Sequence, residues 1–298
     1  MSKNPDGDVL KDLQPKKKYF VGIDSDGCVF DTMEIKHKEC FIPNNIQYWR
    51  LQAVSKYARE AAEFVNLYSK WRGINRFPAL IMGFDLLREW DDVIKRNIAI
   101  PEAKELRKFI DSGRPLSNPS FKEYIAEVGS NEELETALEW SEAVNRTVDQ
   151  MVYGMPPFPY VRESLEKLDD LADMLVVSAT PTGALEKEWS ENKLDDFVRV
   201  IAGQEMGSKK EHLELAASGK YEPHRILMIG DAPGDLKAAR ANNALFYPIM
   251  PGKEDASWQR FYEEAAEKFV AEEYAGAYED QLINEFLNSL PETPPWKK

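Results

Sequence analysis

Four polar clusters in this 298-residue chain have the residue types and spacing to do chemistry. Asp24 and Asp26 stand one residue apart in Asp24-Ser25-Asp26-Gly27, directly after the apolar run Tyr19-Phe20-Val21-Gly22-Ile23. A strand end followed by a turn at Gly27 can aim both carboxylates into one cleft, because glycine lets the backbone bend sharply. Acidic turns are common, so this pair alone says little. A second pair, Asp231 and Asp235, follows another apolar run that ends at Gly230. Carboxylates from two neighbouring strand ends, completed by water, supply the octahedral oxygen set that Mg²⁺ demands. Between the pairs lie Ser178, where a third apolar run stops, and the doublet Lys209-Lys210 at the start of a helical pattern. A hydroxyl and an ammonium suit the oxygens of a phosphoryl group and the charge that develops on them. Taken singly, Ser178 could be a helix cap, Asp235 an N-cap and the lysines solvated first-turn residues. Their joint occurrence at the ends of apolar runs is what points to chemistry.

The elements that must position these groups follow from periodicity. Residues 174–177, 198–201, 225–230 and 244–249 read as strands alternating with helical patterns at 161–171, before 198, before 225 and at 235–242. Strands alternating with helices imply a doubly wound parallel sheet that binds ligands at the carboxyl ends of its strands. Patterns at 256–269 and 279–290 are expected to cover that sheet, and the Pro-rich tail 291–298 is expected to fray. Between Asp26 and Ser178 the texture differs. The spacing predicts one long amphipathic helix over 46–72, stopped at Gly73, then helices at 79–96, 102–110, 119–128 and 131–152, the last opened by a capping box of Ser130 and Glu133. Met155-Pro156-Pro157-Phe158-Pro159 punctuates its end. The expectation is an α/β core over 1–33 and 157–298, interrupted by an all-helical domain over 34–156.

Composition narrows the function classes. With 43% apolar residues the chain can build substantial cores. A net charge of -14 disfavours nucleic acid and anionic lipid as partners, and Lys16-Lys17-Lys18 reads as a solvated edge before the first strand. Two cysteines, Cys28 and Cys40, make neither a disulfide framework nor a zinc site. A charged N-terminus and the lack of any uninterrupted apolar run of about 18 residues lead to the expectation of a cytoplasmic protein with no membrane partner.

In their order, the motifs around Asp24, Ser178, Lys209 and Asp231 resemble those of the haloacid dehalogenase-like (HAD) superfamily, over about residues 18–33 and 157–250. The resemblance implies that Asp24 is a nucleophile forming an aspartyl-phosphate and that Asp26 is the general acid and base. It further implies that Ser178 and Lys209, or alternatively Lys210, bind the phosphoryl group. Lys209 is preferred on the Gly-Ser-Lys pattern. Mg²⁺ would be held by Asp24, the Asp26 backbone carbonyl and Asp231, with Asp235 reaching it through water or orienting the lysine. An acid two positions after the nucleophile marks phosphatases and phosphomutases rather than dehalogenases. The insert resembles a helical cap of the C1 type, longer than the compact caps of sugar-phosphate members. Cys28 stands where Thr or Val is frequent, and the lysine lacks the proline that often follows it. Arg72 and Arg76, flanking Gly73, are candidates for substrate contact, although arginines beside a helix stop are more often plain surface residues. Lys36, His37 and Lys38 could line the hinge. The expected function is Mg²⁺-dependent hydrolysis of a small phosphorylated metabolite; the alternatives are a phosphomutase of the β-phosphoglucomutase type and a non-catalytic binding protein of the same fold.

Overall fold

In the computed structural model, which describes residues 7–297, β1 (Tyr19–Ile23) is buried at every position. The same holds for β2 (Ala172–Val177), β4 (Ile226–Gly230) and β5 (Leu245–Pro248), while β3 (Val200–Ala202) is partly covered. Continuous apolar runs of this kind belong to strands covered on both faces, the situation of a parallel sheet packed between helices. The five strands are all parallel, in the order β3-β2-β1-β4-β5. The chain therefore builds outward from β1 to one side, then restarts with β4 on its other side. The crevice at the carboxyl ends of β1 and β4 is the topological switch point, where such sheets bind ligands.

Register brings the chemistry together. Ile23 lies opposite Val176 of β2 and Ile229 of β4, so the residues just past these strands share one edge of the sheet. Val21, Ile23, Val176, Leu227 and Ile229 pack in a core with Leu165, Trp189, Trp258, Phe261 and Phe269. At the opposite edge the buried carboxylate of Asp173 accepts from the amides of Lys16 (2.7 Å) and Lys17 (3.0 Å), the Tyr221 hydroxyl (2.6 Å) and Arg199 Nη1 (2.9 Å). The lysine cluster is thus anchored through its backbone, and the Lys17 and Lys18 side chains pair with Asp169 and Glu272.

The chain divides into two compact units, one comprising residues up to Met33 with Gly154–Ser289, the other Glu34–Tyr153 with Leu290–Lys298. Among the described residues of the second unit the regular elements are all helices, and Phe77, Phe84, Phe109, Phe121 and Trp140 dominate its core. Several helix boundaries differ from the periodicity. The expected 46–72 helix is two helices, Ile42–Tyr48 and Ser55–Asn66, because Arg50 takes a left-handed conformation (φ 54°) and a 3₁₀ turn follows. The 79–96 pattern is likewise split into Arg76–Arg88 and Asp91–Ile94. At the start of Glu132–Met151 the cap is Asn131, whose Oδ1 accepts from the Leu134 amide at 3.0 Å. Glu133 instead accepts from the amides of Glu105 and Leu106, satisfying the first turn of Lys104–Asp111. The tail expected to fray packs in the helical unit, where Trp296 stacks on Trp90 with ring centroids 4.0 Å apart. Among the described residues no helix is long and apolar enough to cross a membrane.

Candidate active site

The loop after β1 is wound tightly by its own backbone. The Asp24 amide donates to Ile229 O at 2.9 Å, carrying the β1–β4 ladder one residue further. Ser25 O accepts from the Val29 amide at 2.8 Å, and Gly27, at φ 72°, donates to Phe30 O at 2.8 Å. A side chain at Gly27 would be strained in that conformation. Ser25 itself is buried, its hydroxyl accepting from Trp189 Nε1 at 3.0 Å and donating to Glu188 Oε2 at 3.3 Å. This winding leaves Asp24 nearly buried, with Oδ1 accepting from the Ser25 amide at 2.8 Å. It also presents the Asp26 carboxylate to two hydroxyls. Thr32 donates to Oδ1, and Thr180 donates to Oδ2 at 2.6 Å.

On the other side of the switch point, β4 delivers Asp231 and Asp235. Asp235 lies in the first turn of the helix Pro233–Ala241 and folds back so that Oδ2 accepts from the Ala232 amide at 3.1 Å. A Cβ on Gly230 would lie 2.5 Å from the Asp235 side chain, so glycine there is what admits this carboxylate. Lys209 opens the helix Lys209–Ala216, which Ser208 and Glu211 close with a capping box. Its Nζ stands 2.6 Å from Asp24 Oδ2 and 2.6 Å from Asp235 Oδ1. The solvated reading of this lysine is excluded, since its side chain is only 19% exposed. Lys210 is exposed and turns away to a surface cleft with Glu214 and Lys220. Asp24, Asp231 and Asp235 each place a carboxylate oxygen within 4.8 Å of the others.

Three buried carboxylates crowd around one ammonium, and the titration of the cluster reflects that. Burial pushes the Asp24 carboxyl up to about 6, the Lys209 ammonium pulls it back, and Asp231 adds to the rise. Asp235 is likewise pushed up to about 6 by burial, against Lys209 and with Asp24. Burial draws Lys209 down, but Asp235 and Asp24 more than reverse this and hold it charged. A divalent cation would relieve the repulsion among these carboxylates, and an all-oxygen donor set suits a hard ion such as Mg²⁺. The residues present therefore fit a metal at this position.

Ser178 ends β2 beside the Asp24 loop; its amide donates to Ala202 O at 3.0 Å and its hydroxyl accepts from the Thr180 amide at 3.3 Å. Arg72 and Arg76 lie in the helical unit and are engaged there. Arg72 is buried and donates to Leu67 O at 3.0 Å. Arg76 donates to Ser141 O (3.0 Å) and Asn145 Oδ1 (2.7 Å) and sits over the Phe41 ring. Burial pushes its guanidinium down to about 10. Thr32 and Thr180 escaped the sequence reading. The available signal was a hydroxyl in each polar segment just past a strand, which is too common to single out.

The model of one protein family matches residues 99–247, half of the chain, and its description is haloacid dehalogenase-like hydrolase. The chain belongs to this family. The matched stretch contains Ser178, Lys209, Asp231 and Asp235, with Asp24 and Asp26 upstream of it. Similar solved structures include a haloacid dehalogenase-like family hydrolase from Streptococcus pneumoniae, 16% identical, with 83% of this chain and 91% of that chain covered and a TM-score of 0.45. Others are a β-phosphoglucomutase from Clostridium difficile (14% identity, coverage 85% and 97%, TM-score 0.46) and a predicted phosphoglycolate phosphatase from Haemophilus somnus (15%, 80% and 88%, 0.39). None of the curated proteins matches this HAD-like hydrolase.

Proposed function

We propose that this hydrolase is a Mg²⁺-dependent phosphatase that cleaves a small phosphorylated metabolite through an aspartyl-phosphate on Asp24, and that it works in the cytoplasm. The observation that carries the proposal is the convergence of Asp24, Lys209, Asp231 and Asp235 at one switch point, with the Asp26 carboxyl fixed on the same loop.

The residues divide the work as follows. An oxygen of Asp24 attacks phosphorus, and the bond from phosphorus to the ester oxygen breaks; Asp26 gives that oxygen its proton. Lys209 is already poised on Asp24 and neutralises charge on the phosphoryl oxygens, to which the Ser178 hydroxyl donates. Asp26, now a carboxylate, takes a proton from water as its oxygen attacks phosphorus and Asp24 departs, leaving inorganic phosphate. A divalent cation bound by Asp24, Asp231 and, directly or through water, Asp235 would supply Lewis-acid stabilisation of the transferring group. The contact of Asp235 with Lys209 and the Ala232 amide favours an orienting role for this residue.

The test is a panel of phosphorylated metabolites together with p-nitrophenyl phosphate, assayed with the purified protein in Mg²⁺ and in chelator. Release of inorganic phosphate only when Mg²⁺ is present supports the proposal. Transfer of phosphate within a sugar phosphate without release would convert it to a mutase, and no turnover on any ester would refute it.

A further inference from the structure

We propose that Thr180 is the positioning residue for Asp26, fixing the carboxyl that moves the proton; the assignment rests on the phosphatase reading above. The Thr180 hydroxyl lies 2.6 Å from Asp26 Oδ2, the range of a hydroxyl bonded to a carboxylate. A lone threonine could reach this position by chance of rotamer, but here the backbone beneath it is held from three sides. Its amide donates to Ser178 Oγ at 3.3 Å and its carbonyl accepts from the Gln204 amide at 3.0 Å. Gly203 packs so close that a Cβ there would lie 2.7 Å from Thr180 O and 2.5 Å from Thr182 N. Just beyond, Glu205 Oε2 accepts from both the amide and the hydroxyl of Thr182 at 2.9 Å, pinning the turn that follows. The loops after β2 and β3 therefore hold one hydroxyl still, and the loop after β1 brings Asp26 to it.

A threonine hydroxyl can donate to a carboxylate and accept from a carboxylic acid. Thr180 can thus keep its contact in both protonation states of Asp26 while the proton passes to the ester oxygen and is recovered from water. With Thr32 on the other oxygen, the plane of the carboxyl is fixed at two points. Removing one loosens that plane, and proton transfer depends on that geometry.

The experiment compares kcat/KM of wild type, Thr180→Val, Thr180→Ala and Thr180→Ser on phenyl phosphate and on p-nitrophenyl phosphate. The two esters have nearly the same shape, but phenolate needs a proton to leave well and nitrophenolate does not. The ratio kcat/KM reports only the steps up to departure of the leaving group. Expected is a loss of about 30- to 100-fold on phenyl phosphate for Val and Ala, with less than about threefold loss on p-nitrophenyl phosphate, within what general acid catalysis contributes. Thr180→Ser should recover to within about fivefold of wild type on both. An equal loss on both esters, no loss on either, or a serine variant as impaired as valine would overturn the assignment. If wild type releases phosphate from neither ester nor from any member of the metabolite panel, the phosphatase reading itself falls and takes this assignment with it.

Discussion

At the scale of single residues, the site gathers three buried carboxylates around one lysine. Asp24 and Asp235 are pushed up to about 6, against an ordinary value near 4, because burial and mutual repulsion outweigh Lys209. Between about pH 4 and 6 the native state therefore holds more protons here than the unfolded chain does, so these groups contribute less stability as the pH rises through that window. Magnesium bound here would require the ionised carboxylates and would compete with those protons. We expect Mg²⁺ to raise the thermal midpoint clearly at about pH 7.5 and little at about pH 5. Asp231→Asn should abolish the increment. Thermal unfolding with and without Mg²⁺ measures this, and an equal increment at both pH values would speak against the triad as the metal site.

At the scale of elements, the sheet sets the geometry and Gly230 permits it. Gly230 leaves room for the Asp235 carboxylate, whereas Gly234, one turn along, would meet nothing within 4 Å if given a side chain. Gly230→Ala should cost about 1–3 kcal/mol and weaken Mg²⁺ binding, because the added methyl must displace Asp235. Gly234→Ala should stay within about 0.5 kcal/mol and leave Mg²⁺ binding intact. Chemical denaturation and metal titration of the two variants would settle it, and equal behaviour would contradict the packing account. These strand ends were legible in the sequence because a fully buried parallel strand is a continuous apolar run, and its end is marked where the run meets Asp24, Ser178 or Asp231. The helical unit was harder to divide. Arg50, Asn97 and Ala103 all take positive φ, and of these only Asn97 is a residue type that favours it, so the chemistry of Arg50 and Ala103 does not announce the break. Asn131 and Ser130 are equally good caps on composition, and only the fold shows that Glu133 is spent on the neighbouring helix. Thr32 and Thr180 were invisible for a related reason, since a hydroxyl acquires a role only when a partner 6 or 154 positions away is brought to it.

At the scale of the whole molecule, chain order and spatial grouping part company. The chain passes between its two units after Met33, after Tyr153 and again after Ser289, so that the last residues join the helical unit. The Pro-rich tail gave no periodic signal, and its order comes from Trp296 meeting Trp90 and Phe64, partners more than 200 positions away in sequence. The same separation governs the candidate site, whose groups come from residues 24–32, 178–180, 209 and 231–235 of one α/β unit. If those segments act as one machine, the residue on which all of them converge cannot be spared. The most direct test is the turnover of Asp24→Asn in saturating Mg²⁺ on the best ester the wild type hydrolyses. The convergence predicts a fall of at least about 10⁴-fold with the fold intact, as expected when a nucleophile is lost. An Asp24→Asn protein that turns over at the wild-type rate would contradict it.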